Sequence, residues 1–146
     1  MSSGKPISAL VLAACVGIAW ADAPQVTIAN AWVRSTVPGQ EVAGAYLEIT
    51  STRDARLVKA ESPVARLVEI HAMKMEGGVM RMQAMETLPL PAKEAVKLAP
   101  GGYHLMLVGI KQQLKPGDQV AVTLTVEDSA KKTSAVIVQM KVRQSN

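Results

Sequence analysis

The stretch Val68-Glu69-Ile70-His71-Ala72-Met73-Lys74-Met75-Glu76-Gly77-Gly78-Val79-Met80-Arg81-Met82-Gln83-Ala84-Met85 decides the fold. On either side of its paired glycines the residue character repeats with period two, the signature of a strand rather than of a helix. Gly77-Gly78 supplies the positive φ values that a tight hairpin loop demands. Whether that loop holds two residues or four, the register is the same: Met75 faces Met80, Met73 faces Met82 and His71 faces Ala84. Side chains two apart share a face of a strand, so His71, Met73, Met75, Met80 and Met82 project together. The other face carries Ala72, Lys74, Glu76, Val79, Arg81, Gln83 and Met85, a mostly polar set in which Met85 reads as packing.

The same period recurs along the rest of the chain. Residues 26–33, 42–50, 94–98, 103–110, 119–126 and 133–142 read as strands, divided by Pro38-Gly39, Pro100-Gly101-Gly102 and Pro116-Gly117-Asp118. Pro63 breaks the segment before the hairpin, where residues 54–68 have room for a helical turn or two, and Pro89 and Pro91 interrupt the chain after it. Seven to nine short strands in 146 residues predict one all-β domain, an antiparallel β-sandwich. Tyr103, Leu105 and Leu107 take the core side of the 103–110 strand, and His104 and Met106 the opposite side.

Composition narrows the chemistry. Hydrophobic residues make up 49% of the chain, too many for a disordered polymer, and a single cysteine excludes a disulfide scaffold, a cysteine-based metal cage and a C-x-x-C redox pair. The net charge of +4 is mild and its lysines and arginines are dispersed, so no basic block points to nucleic acid. Residues 1–21 read as an export signal, with Lys5 before an apolar run that ends in Ala19-Trp20-Ala21, an A-x-A-like cleavage site. Cutting there leaves a domain of residues 22–146 with no cysteine, and no transmembrane span in the mature form. Leu12-Ala13-Ala14-Cys15 offers the alternative, a lipobox whose cysteine becomes a lipid anchor.

The scarce residues gather. Five of the eight methionines fall between Met73 and Met85, and each of the two histidines has methionines on its own face. Two imidazoles with two or more thioethers form a neutral, soft donor set that suits Cu(I) or Ag(I) and is poor for Zn(II), Mg(II) or Ca(II). Methionine is also a common core filler, particularly in a chain without Phe, but filling would spread the residues along the chain. No Ser/His/Asp set or phosphate-cradling glycine loop is present, which makes the chain a carrier rather than an enzyme.

At these residues the sequence resembles the PCuAC family of periplasmic copper chaperones, whose motif is His, ten residues, Met, 21 residues, His, one residue, Met. His71, Met82, His104 and Met106 satisfy that spacing, and the text around them, VEIHAMKMEGGVMRM, LPLPA and LAPGGYHLMLVGIKQQLKPGD, is similar to the family's. The resemblance implies a cupredoxin-like or Ig-like Greek-key sandwich that holds Cu(I) through those four residues. It also implies delivery of copper to cytochrome c oxidase assembly in the periplasm, with an oxidase subunit and a Sco-type thiol chaperone as partners; the chain itself is expected to be a monomer. Met73, Met75 and Met80 are left as auxiliary donors, a loading path or a docking rim. A copper-sequestering protein and a metal-free interaction module are the alternatives.

Overall fold

The computed structural model describes Gly4 and residues 23–144. The export segment expected over 1–21, the cut after Ala21 and the lipobox cysteine Cys15 lie outside the described residues. Within them every regular element is a strand: β1 (Val26–Arg34), β2 (Val42–Ser51), β3 (Ala55–Glu61), β4 (Ala65–Glu76), β5 (Val79–Met85), β6 (Leu88–Leu90), β7 (Ala95–Leu98), β8 (His104–Ile110), β9 (Gln119–Asp128) and β10 (Thr133–Arg143). No helix among the described residues is long and apolar enough to cross a membrane.

The all-β sandwich expected from the period-two pattern is present, with two refinements. The path β4-β8-β2-β1-β10-β9-β3 returns to β4 through the single pair Ala60–Val68, so the sandwich closes on itself like a barrel. All its pairings are antiparallel except β1 with β10, which run parallel through Trp32–Lys141 to Arg34–Arg143. Alternation puts Ala45, Leu47 and Ile49 of β2, Leu105 and Leu107 of β8, Val122 and Leu124 of β9 and Met140 of β10 inside, each at most 1% exposed. Each fully buried Leu stabilises the domain by about 1.5–3 kcal/mol, and together these aliphatic chains replace the missing aromatic core.

Three local expectations are corrected. Residues 54–68 form no helical turn: Ala55–Glu61 is a strand that β9, β6 and β4 all flank, and Pro63 lies in the turn before β4. Residues 88–90 are a strand despite Pro89, because β6 pairs with β3 alone and a proline lacking its N–H is tolerated on an edge. Tyr103 is outside β8 and 39% exposed rather than in the core.

Two features shape the outer face over β2, β4 and β8. In β1 the register against β2 slips by one residue between Ala29 and Trp32, and Asn30 there has φ 52°. This bulge turns Val33 into the core and leaves Trp32 outside, opposite Tyr46. In β4 only the first half lies in the barrel wall. Its pairing with β8 ends at His71–His104, whereas its pairing with β5 runs on to Glu76–Val79. Residues 72–76 and 79–83 therefore leave the barrel as a two-stranded ribbon.

Candidate metal centre

The loop at Gly77 (φ 57°) and Gly78 (φ 78°) has positive φ at both central residues, as a two-residue type I′ turn requires. It fixes the register expected from the sequence: Met75–Met80, Met73–Met82 and His71–Ala84 are direct cross-strand pairs. Across β4 on the other side, His71 pairs with His104 of β8, and Glu69 pairs with Met106. Glu69, His71, His104 and Met106 thus form a two-by-two block on one outer face.

The two imidazoles meet edge to face, with ring centroids 5.4 Å apart. Each has one nitrogen committed to an acceptor. His71 Nε2 lies 2.7 Å from Glu69 Oε2, and His104 Nδ1 lies 3.2 Å from the Gly102 carbonyl oxygen. A carboxylate and a carbonyl can only accept, so both nitrogens carry hydrogens, and in the neutral rings the lone pairs sit on His71 Nδ1 and His104 Nε2. Those two atoms are buried and have no hydrogen-bond partner. Orphaned buried acceptors cost about 1–3 kcal/mol each, and two on adjoining rings point to a cation that both would bind.

The surroundings disfavour the charged form of His104. Burial, the largest effect, pushes its imidazole below the ordinary value; the Gly102 hydrogen bond, next in size, opposes it, and the neighbouring His71 and Arg34 add smaller lowering effects. The Tyr46 ring is 6.4 Å from that of His104, Trp32 stacks on Tyr46 at 4.7 Å, and the Arg34 guanidinium lies 5.7 Å above the Tyr46 ring. Gly44 makes this possible, because a Cβ there would come 2.5 Å from the Tyr46 hydroxyl.

Of the four motif residues, the fold brings His71 and His104 together and sets Met106 beside them, half-buried, two residues along β8. Met82 is 50% exposed on the ribbon, two cross-strand pairs beyond Ala84 and so on the same face. Met73, half-buried, Met75 and Met80 share its face. Met85 packs against the core, as its opposite face predicts. Glu69 escaped the sequence reading although its signal was present: a carboxylate two residues before His71 on a strand shares its face. Tyr46 could not be found without the pairing of β2 with β8, whereas the Gly102 carbonyl meets His104 through a local contact two residues apart.

Among the described residues no three His, Cys, Asp or Glu side chains converge, so thioethers are what remains to complete a donor set around the imidazoles. A cleft of about 570 Å³ opens elsewhere, against Ala72, Met73, Lys74, Gln83, Lys97 and Tyr103, and neither histidine lines it.

Comparison with known proteins agrees with this architecture. The family described as "Putative lipoprotein LpqE-like" matches residues 26–138. A protein of Leifsonia xyli subsp. xyli named "Putative lipoprotein Lxx21020" is 34% identical over 117 residues, 80% of this chain and 69% of that protein. The copper-bound PCuAC domain from PmoF2 superposes with a TM-score of 0.68 over 86% of this chain and 97% of the domain, at 24% identity. The solution structure of CuI-DR1885 from Deinococcus radiodurans does so with a TM-score of 0.59 over 88% of this chain and 83% of that one, at 25% identity. The fold is the one these domains share.

Proposed function

We propose that this chain, which belongs to the LpqE-like family by its match over residues 26–138, is an exported Cu(I) carrier that holds its cargo through His71, His104, Met106 and Met82. The observation that carries this reading is the pair of buried, unpartnered lone-pair nitrogens, His71 Nδ1 and His104 Nε2, on rings 5.4 Å apart. An imidazole binds a metal through an uncharged nitrogen, and the methionines on the same face are soft and uncharged, a set that selects a soft monovalent cation. Similarity to a CuI-loaded protein supports copper as that cation.

The same donors suit release. Met82 is half-exposed and lies farthest from the histidine pair in register, so it is the first ligand to be exchanged for an incoming thiolate or imidazole while the histidines still hold the ion. Met106, half-buried beside His104, leaves later. The acceptor in this reading is the copper centre of cytochrome c oxidase during assembly, reached directly or through a Sco-type thiol chaperone. The carrier performs no catalysis. Export places the domain outside the membrane, and the lipoprotein names of its relatives favour the lipobox at Cys15 over a cut after Ala21.

Competition with a Cu(I) chelator tests the reading. The protein is expected to bind copper with an affinity that His71→Ala and His104→Ala each lower by at least about tenfold, corresponding to about 1.4 kcal/mol. Binding unchanged in both variants refutes the site, and no binding at all leaves an interaction module. Loss of oxidase activity at low copper in a deletion strain, with normal survival at high copper, supports delivery over sequestration.

A further inference from the structure

We propose that the β4–β5 ribbon carries a second soft-metal site, made of the thioethers of Met73, Met75 and Met80, that binds Cu(I) or Ag(I) without either histidine. Met75 and Met80 are directly opposed, and Met73 lies two residues along the same face, opposed to Met82. In a hairpin closed by a two-residue loop, the pair flanking the loop, here Glu76–Val79, is the hydrogen-bonded one. Alternation then places Met75–Met80 and Met73–Met82 at the closer positions, where Cα atoms are about 4.5 Å apart. The three rotatable bonds of methionine let sulfurs at such positions converge on one ion.

Packing does not explain these side chains. Met75 is 64% exposed and Met80 46%, on strands that beyond residue 71 pair only with each other. Exposed apolar side chains gathered on one face mark a binding site. No oxygen donor shares that face of the ribbon, since Lys74, Glu76 and Arg81 all lie on the other, where Arg81 Nε is 3.8 Å from Glu76. Hard cations therefore find nothing to bind. The ribbon also has a reason to be stapled: an isolated pair of strands is marginal, and Lys74 sits directly opposite Arg81, a repulsive pairing. An ion held between Met75 and Met80 bridges the two strands. The arrangement would give the carrier a proton-independent station next to Met82, which belongs to the His71/His104 site.

Ag(I), which does not change oxidation state in air, is the probe, followed through the methionine ε-methyl signals of the full domain. The wild type is expected to take two equivalents. A His71→Ala/His104→Ala variant should keep one equivalent, shifting Met73, Met75 and Met80 but not the buried Met140, with affinity changing less than about twofold between pH 7.5 and 5, because a thioether binds no proton in that range. A Met73→Leu/Met75→Leu/Met80→Leu variant, with Met82 intact, should keep the other equivalent and lose it at pH 5. The proposal is overturned if the histidine variant binds no Ag(I), which would make the patch a protein-docking rim, or if the methionine variant still takes two. A methionine variant that binds none, beside a histidine variant that binds one, overturns the His71/His104 site instead and leaves this one standing.

Discussion

Removing the Glu69 carboxylate should weaken copper binding without touching a ligand. Glu69 Oε2 accepts from His71 Nε2 at 2.7 Å, which holds the ring's orientation and its tautomer and makes Nδ1 a better donor. Loss of such a partner generally costs 10- to 100-fold in metal affinity. Glu69 is 44% exposed and its charge is partly screened, which places Glu69→Ala at the lower end, about tenfold or about 1.4 kcal/mol. Glu69→Gln keeps a neutral acceptor within reach of Nε2 and should lose less, about two- to threefold, on the same scale. Chelator competition at pH 7 reads both affinities, and urea unfolding of the metal-free variants checks that the fold is intact. If Glu69→Ala binds Cu(I) as tightly as wild type while remaining folded, His71 is not presented through Nδ1 and the tautomer argument fails.

Other consequences are open to equally direct measurement. Burial lowers the His104 pKa, so protons compete for Nε2 only at a pH below the ordinary imidazole value of about 6.5, and Cu(I) affinity should be flat from pH 8 to 7 and fall in acid. The sign for stability is the same: the unfolded chain takes up the His104 proton first, so this contribution is complete above about pH 6.5 and is lost as pH falls toward the folded value. The thermal midpoint of the metal-free protein should decline over that window, less steeply in His104→Gln; equal slopes would contradict it. Gly44→Ala drives a methyl to 2.5 Å from the Tyr46 hydroxyl, and because Tyr46 is held between Trp32 and His104 it cannot swing freely. A cost of about 1–3 kcal/mol is expected by denaturant unfolding, partly recovered in Gly44→Ala/Tyr46→Phe. A fully stable Gly44→Ala would show that Tyr46 does not pack as described.

Much of the site could be read from the sequence because its determinants are local. Gly77-Gly78 can adopt the loop that few other pairs tolerate, and once the loop is fixed, period two assigns every methionine of the hairpin to a face. The alternation of Tyr103 to Val108 likewise separated His104 and Met106 from Leu105 and Leu107, although Tyr103 itself belongs to the preceding turn and is exposed. What the sequence could not supply is nonlocal. The pairing of His71 with His104 depends on β4 lying beside β8 with 32 residues between the partners, and no local pattern sets that register. The bulge at Asn30 was invisible because asparagine tolerates positive φ but does not demand it, so the placement of Trp32 over Tyr46 had no signal. Pro89 misled in the opposite direction, since a proline marks a break in a central strand but not on an edge such as β6.

The central claim is that one Cu(I) ion is held jointly by the imidazoles of His71 and His104 and by thioethers. X-ray absorption at the copper edge, on the Met73→Leu/Met75→Leu/Met80→Leu variant loaded with one equivalent of Cu(I), isolates that site from the ribbon. A first shell mixing nitrogen and sulfur, with the outer-shell scattering of two imidazole rings, is the predicted result. A shell of sulfur alone, or of nitrogen and oxygen without sulfur, would contradict it.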